Sequence, residues 1–325
     1  MYDLFVNYKH LKLKRGIKLE TVKVKMSDGK EIVLNKFLPS KKIKAVIVLH
    51  HGQTEHSLRY THFADFLNKN GIALYAHDGR CHGQSVDKIE DLGYLDYNKG
   101  FDTVTSDLHT IIETCRKDLP DVKVFIAGHS FGSFIVQNYI EKYKADNENF
   151  GGAILLGSAG PKPFLMFAGI LLAKVVTFFK GKKGISKLLH KVMHGSYNDH
   201  FPGEGENAWL TRDKEIQKAF EDDPRCGFEP TNAFRHTFLK GLFNIHRQKN
   251  LAKIDVDLPI LIMSGTEDPV GDYGKSVDKL VSAYKDYRIK SLKVKMYKDA
   301  RHELLNELNK DEVMKDLLDW VKEKL

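Results

Sequence analysis

The chain has 325 residues, 42% of them hydrophobic and 29% charged, with a formal net charge of +8. That supplies a large soluble core, and the length suits one α/β domain carrying an inserted subdomain. The basic balance fits anionic lipid surfaces or a solvated exterior; with no nucleic-acid motif and Lys in excess of Arg, nucleic acid is excluded as a partner.

The start, Met1-Tyr2-Asp3, runs into Lys-rich sequence without an apolar stretch or small-residue cleavage site. No signal peptide is read there, and a cytoplasmic protein is expected. Residues 20–38 alternate polar and apolar side chains around Asp28-Gly29, which predicts an antiparallel hairpin because Gly accepts the positive φ of such a turn. Ala45 to Leu49 is a continuous apolar run, the pattern of a strand covered on both faces. Residues 58–70 read as a helix with Tyr60, Phe63, Ala64 and Leu67 on one face and Asn70-Gly71 as its stop.

A second buried strand, Ile72 to Ala76, follows, then a helix over 100–118 and a third buried strand from Val122 to Ala127. Another apolar run closes this half at Gly151 to Leu156. The alternation resumes with a strand at Leu258 to Met263, a helix, a strand near Leu292–Met296 and an amphipathic helix from about Lys310. Strands alternating with helices predict an α/β fold, a mostly parallel sheet with helices on both faces. Residues 1–159 and 251–325 then form one core, and 160–250 an inserted helical cap.

Gly128-His129-Ser130-Phe131-Gly132 lies between the third strand and a helical run from Ser133 to Tyr143. Alone, Gly-x-Ser-x-Gly is also an ordinary glycine-rich turn. Between a strand and a helix it is a nucleophile elbow, whose tight turn lifts the serine hydroxyl clear of the sheet edge. Ser130 is therefore the expected nucleophile, and the backbone amide of Phe131 points where an oxyanion would form. A serine needs a base, and the base an orienting carboxylate, in the chain order Ser, acid, His.

The strand at 258–263 leads into Ser264-Gly265-Thr266-Glu267-Asp268-Pro269, at the sheet edge where open α/β sheets place their sites. Glu267 and Asp272 are rivals, a solvated loop residue and a helix cap; Asp268 is preferred because Pro269 fixes the turn after it. Of the 15 histidines only His302 follows the acid, so chain order selects it as base. The second oxyanion amide is expected from Gln53, in the loop after the first buried strand.

At these residues the chain resembles the monoacylglycerol lipase and lysophospholipase group of α/β-hydrolases. His51-Gly52-Gln53-Thr54-Glu55-His56-Ser57-Leu58-Arg59-Tyr60 resembles the group's oxyanion loop, with His-Gly followed by Glu-His and Arg-Tyr. Asp78-Gly79-Arg80-Cys81-His82-Gly83-Gln84-Ser85 resembles its Gly-His-Gly segment, with Cys81 where Gly is usual. The elbow, Asp268-Pro269-Val270-Gly271 and Ala300-Arg301-His302-Glu303 also match in type. The resemblance implies the α/β-hydrolase fold, a triad of Ser130, Asp268 and His302, and oxyanion amides from Gln53 and Phe131. It covers the flanks, residues 20–155 and 255–325, and is weak across the cap.

His50, His51, His56, His62, His77 and His82 cluster in sequence but show no metal-ligand spacing, so no metal or other cofactor is expected. Cys81, Cys115 and Cys226 are odd in number and far apart, which indicates no disulfide framework. Phe164 to Phe179 is apolar except for Lys174, shorter than the ~20 residues needed to span a bilayer. It reads either as a cap helix over the site, with Phe164, Leu171 and Leu172 contacting substrate, or as an interfacial helix. The lysines around it make peripheral contact with an anionic membrane an open expectation.

The function expected is a serine hydrolase that cleaves a small-molecule lipid ester, a monoacylglycerol or lysophospholipid, through an acyl-enzyme on Ser130. The alternatives are an esterase or thioesterase for other acyl substrates and, from a different class, a binding or membrane-adaptor protein on the same scaffold. The complete set of Ser, Asp and His argues against the last.

Overall fold

The structure, a computed structural model, describes residues 17–143 and 149–325. Two strands open it, β1 (Ile17–Lys25) and β2 (Glu31–Pro39), paired antiparallel with Lys25 opposite Glu31. Their connection turns at Gly29, where φ is 86°. Alternation follows through β3 (Ala45–His50), α1 (Thr61–Lys69), β4 (Ile72–His77), α2 (Gly100–Asp118), β5 (Lys123–His129), α3 (Phe131–Lys142) and β6 (Phe150–Leu156). Five helices come next: α4 (Pro163–Lys180), α5 (Lys187–His194), α6 (Lys214–Asp222), α7 (Asn232–Ile245) and α8 (Gln248–Leu251). The chain then completes the sheet with β7 (Ile260–Gly265), α9 (Lys275–Asp286), β8 (Leu292–Tyr297) and α10 (Lys310–Glu323).

The eight strands lie in the order β1-β2-β4-β3-β5-β6-β7-β8, and every pairing from β4 to β8 is parallel. Side chains alternate across the sheet because successive residues of a strand point to opposite faces. Val46, Val48, Val124 and Ile126 pack on one face with Ile111, Ile112 and Val136 of α2 and α3. Ile47, Leu49, Phe125 and Ala127 pack on the other with Phe63 and Leu67 of α1 and Trp320 of α10. Each such side chain, fully buried, contributes about 1.5–3 kcal/mol. Continuous apolar strands follow from this double cover.

The direction of winding reverses at β3, which has β4 on one side and β5 on the other. Crevices in open α/β sheets form at such reversals, outside the carboxyl ends of the strands. The ends of β3 and β5 carry Gly52-Gln53 and Ser130, so topology alone brings those two loops together.

The helix expected over 58–70 begins differently. Ser57–Tyr60 is a tighter 3-10 turn, and α1 starts only at Thr61. The cause is local: the Ser57 amide and hydroxyl both donate to Asp78 Oδ1, at 2.8 and 2.6 Å, which pulls the segment onto the loop after β4.

Helix α4 begins with Pro163 at its first turn, where a missing N–H costs nothing. It docks through Ala173 and Val176 against Leu189 of α5 and Leu239 of α7. Its other faces are open: Phe164, Phe178 and Phe179 are 91%, 84% and 79% exposed. By length and composition α4 could enter a bilayer. Its 18 residues span about 27 Å, a little less than a hydrocarbon core of about 30 Å.

Candidate active site

Between the end of β5 and the start of α3 stands a single residue, Ser130, at φ 50° and ψ −117°. A side-chain-bearing residue rarely adopts that conformation, and it persists only where the surroundings fix it. Here they do. The Ser130 amide donates to the Leu156 carbonyl at 2.9 Å, and its carbonyl accepts the Ser133 amide and hydroxyl at 2.9 and 2.6 Å. The flanking glycines are demanded by contact: a Cβ on Gly128 would lie 2.2 Å from the Gly132 carbonyl oxygen, and one on Gly132 2.1 Å from that of His50. The turn therefore rests directly on the end of β3. Phe131 opens α3, so its amide has no acceptor within the helix.

Asp268 sits in the turn after β7 with no exposed surface. Its Oδ1 accepts His302 Nδ1 at 3.0 Å and the Val270 amide at 2.8 Å. A carboxylate only accepts, so Nδ1 carries a proton toward it. His302 Nε2 is buried, has no hydrogen-bond partner among the described residues, and lines the same cavity as Ser130. Glu267 is half-buried, with its amide on the Ala300 carbonyl, and Asp272 pairs with Lys162 at 3.6 Å. Neither hydrogen-bonds to His302, whose Nδ1 is taken by Asp268.

The loop of His302 is held by the segment between α5 and α6. The His302 and Glu303 amides donate to the Trp209 and Leu210 carbonyls at 3.3 and 2.7 Å, and the Trp209 ring lies 5.1 Å from that of His302. The sequence reading missed this clamp, because nothing in an isolated Ala208-Trp209-Leu210 announces where it docks.

The loop after β3 is shaped by Glu55. Its carboxylate accepts the Gly52 amide at 2.6 Å, the Tyr60 hydroxyl at 2.9 Å, Arg59 at 2.6 Å and His129 Nδ1 at 3.0 Å. Burial pushes its pKa up, but Arg59 and His129 outweigh burial and hold it well below the usual carboxylate range. Gln53 follows Gly52 and lines the cavity with Ser130. Behind this loop His50, His51, His77 and His82 form a buried cluster of ring contacts, with centroids 4.7 to 5.3 Å apart. Burial and the neighbouring His51 push His50 down to about 3, so it is neutral.

The cavity has a volume of about 910 Å³. Its apolar part is lined by Phe134, Leu165, Met166, Phe238, Leu239 and Leu242, and Arg235 and Glu229 stand on its wall. The three contacts read from sequence on α4 are not there. Phe164 and Leu171 face outward, Leu172 packs into the seam with Ala173 and Leu189, and none of them lines the cavity. A helix apolar on every side gives no periodic cue to which face turns inward. Leu165, Met166 and Gly169 occupy the face that does.

No metal spacing was visible in the sequence, yet the fold gathers His56, Asp223 and Cys226, with donor atoms within 4.8 Å of one another. His56 Nε2 and Asp223 Oδ2 are 2.8 Å apart, a hydrogen bond that links the inserted segment to the loop after β3.

Comparison with known proteins places this geometry. A family profile described as serine aminopeptidase, S33, matches residues 41–309. The chain belongs to the serine aminopeptidase S33 family. The monoacylglycerol lipase of Mycolicibacterium smegmatis is 26% identical to this S33 chain over 301 residues, 90% of this chain and 93% of that one. The monoglyceride lipase of Mus musculus is 26% identical over 310 residues, 92% of this chain and 89% of its own. Among solved structures, a thermostable carboxyl esterase from Bacillus coagulans in complex with glycerol superposes with a TM-score of 0.85 at 25% identity, covering 94% of this chain and 98% of that one. The fold of this S33 member is the α/β-hydrolase fold.

Proposed function

We propose that this protein is a serine hydrolase that cleaves the carboxylic ester of a lipid, a monoacylglycerol or lysophospholipid, with Ser130 as nucleophile, His302 as base and Asp268 as the orienting acid. The observation that carries the reading is the state of His302. One ring nitrogen is bonded to a fully buried carboxylate, the other is buried with no hydrogen-bond partner among the described residues, and the residue lines the same cavity as Ser130. The names of the relatives supply the substrate class.

In this mechanism the Ser130 hydroxyl gives its proton to His302 Nε2 as Oγ attacks the ester carbonyl. The negative charge that develops on the carbonyl oxygen is met by the amides of Gln53 and Phe131. The C–O bond to the alcohol then breaks, and His302 returns the proton to the departing glycerol oxygen. Water, deprotonated by His302, attacks the acyl-enzyme and releases the fatty acid and Ser130. Asp268 stays ionised and stabilises the imidazolium at each step.

In the same reading residues 160–250 act as a cap. Its inner face, Leu165, Met166, Phe238, Leu239 and Leu242, shields the acyl chain, where each CH₂ removed from water contributes about 0.8 kcal/mol. Its outer face meets an anionic membrane. Support comes from the exposed Phe164, Phe178, Phe179, Ile185 and Leu188, and from seven lysines with no Asp or Glu between residues 160 and 198.

The test is a panel of monoacylglycerols, lysophospholipids and short p-nitrophenyl esters. Turnover of the long-chain lipid esters well above the short esters supports the reading. A preference for acetyl esters would contradict the lipid assignment, and no turnover of any ester would contradict the chemistry.

A further inference from the structure

His129 is the last residue of β5, directly before Ser130, and takes no part in the proton transfers above. Its surroundings are specific. Nδ1 lies 3.0 Å from Glu55 Oε1, and Nε2 3.3 Å from the backbone carbonyl oxygen of His302. Both partners are acceptors. The carbonyl can only accept, and Glu55 is ionised, since it also receives the Gly52 amide, the Tyr60 hydroxyl and the Arg59 guanidinium. A neutral imidazole carries one proton and would turn a bare lone pair toward one of these oxygens.

The charge count of the pocket agrees. Glu55, Glu303 and Arg59 have side chains 2%, 3% and 11% exposed, and that of His129 is 7% exposed. Two carboxylates and one guanidinium leave a single negative charge in a nearly dry place, where an unpaired charge is costly. A proton on His129 brings the sum to zero. The base loop also carries Arg301, but its guanidinium is turned to the Glu204 carboxylate and the Ala208 carbonyl. The loop after β3 brings His51 and Glu55, the following 3-10 turn Arg59 and Tyr60, the base loop His302 and Glu303, and the insertion Trp209 and Cys226. Burial of the ring opposes its charge, but the hydrogen bond and charge of Glu55 raise its pKa above the ordinary histidine value.

We infer that His129 is carried as an imidazolium cation and is a positioning residue, binding the serine turn, the oxyanion loop and the base loop into one unit. One N–H anchors Glu55, which orders Gly52 beside Gln53; the other anchors the backbone of His302 itself. Loss of the proton frees one of these two loops and leaves the net negative charge beside His302, the two rings being 4.8 Å apart centre to centre. Activity is therefore present below the pKa of His129 and lost as pH rises through it. The consequence for rate rests on the hydrolase reading; the charge assignment does not.

The experiment is nitrogen-15 NMR of histidine-labelled wild type and His129→Gln, joined to the pH profile of kcat/KM on a soluble ester for wild type and Glu55→Gln. At pH 7.5 the ring missing from the His129→Gln spectrum should have both nitrogens protonated. In Glu55→Gln, which takes away the counter-anion, the alkaline fall in kcat/KM should move down by a pH unit or more. A merely structural contact would lower the rate at every pH and leave that limb in place. A neutral His129 ring at pH 7.5 would overturn the charge assignment, and an alkaline limb unmoved in Glu55→Gln would overturn the positioning role. If the imidazolium is present but no ester is hydrolysed, the hydrolase reading fails and the charge assignment stands.

Discussion

The Arg59 guanidinium holds the Glu303 carboxylate with two N–H···O bonds of 2.7 Å, joining residues 244 positions apart in the chain. Arg59 also reaches Glu55 at 2.6 Å, so one planar group ties the oxyanion loop to the residue beside His302. Arg is suited to this because its donors form a rigid fork matched to a carboxylate.

Removing Arg59 leaves the buried carboxylates of Glu55 and Glu303 with His129 as their one neighbouring cation. Arg59→Leu should destabilise the protein by about 3–5 kcal/mol, read from urea unfolding. Adding Glu303→Gln should recover part of that loss. A single substitution costing less than about 1 kcal/mol would mean that the pair behaves like an exposed one.

The acid is tested by substitution along its own loop. Asp268→Asn should lower turnover by roughly 10⁴, because the amide no longer fixes the proton on His302 Nδ1. Asp272→Asn and Glu267→Gln should stay near wild type. A mild Asp268→Asn beside a damaging Asp272→Asn would move the acid to Asp272.

The two faces of α4 predict opposite phenotypes. Met166→Asp should weaken long-chain esters far more than p-nitrophenyl acetate, since Met166 lines the cavity. Replacing Phe178 and Phe179 by Ser should lower binding to anionic vesicles and leave hydrolysis of a soluble short ester in place. Vesicle binding insensitive both to this change and to salt would argue against the outer face as a lipid contact.

Glu141 gives a stability prediction. It is buried in α3, its Oε2 has no hydrogen-bond partner among the described residues, and burial pushes its pKa up to about 9. The folded state thus holds this proton more tightly than the unfolded state, whose carboxyl titrates at its ordinary value. The stabilising contribution is fully present at acidic pH and is lost as pH rises from about 4.5 to about 9. Glu141→Gln should remove that decline, so its advantage in urea unfolding over wild type should grow from pH 5 to pH 9. A constant difference across that range would mean that Glu141 is ionised in the folded protein.

Much of this fold is legible in the sequence because its signals are local. Ala45 to Leu49 and Val124 to Ala127 are buried strand segments covered on both faces, and such segments are apolar throughout. Asp28-Gly29 marks its own hairpin. Gly128 and Gly132 are fixed by contacts within a few residues and with the end of β3, so the elbow motif carries its geometry with it. What stayed hidden depends on distant partners. The inward face of α4 is chosen by α7, and a run with no polar side could not reveal it. The 3-10 turn at Ser57 follows from Asp78, and the clamp on His302 from Trp209 and Leu210. Glu55, Arg59 and Glu303 were each in view as parts of a resembling motif. Only the fold shows that they meet, and that His129 joins them.

The proposed chemistry requires Ser130 to be an activated nucleophile. The most direct measurement is covalent labelling by a fluorophosphonate, with esterase turnover followed in parallel, on wild type and Ser130→Ala. Wild type should take up one label, on Ser130, and lose its turnover in step. Ser130→Ala should fold normally, take up none, and fall by a factor on the order of a million in kcat. Labelling at another serine, or more than a few percent of turnover left in Ser130→Ala, would contradict the account.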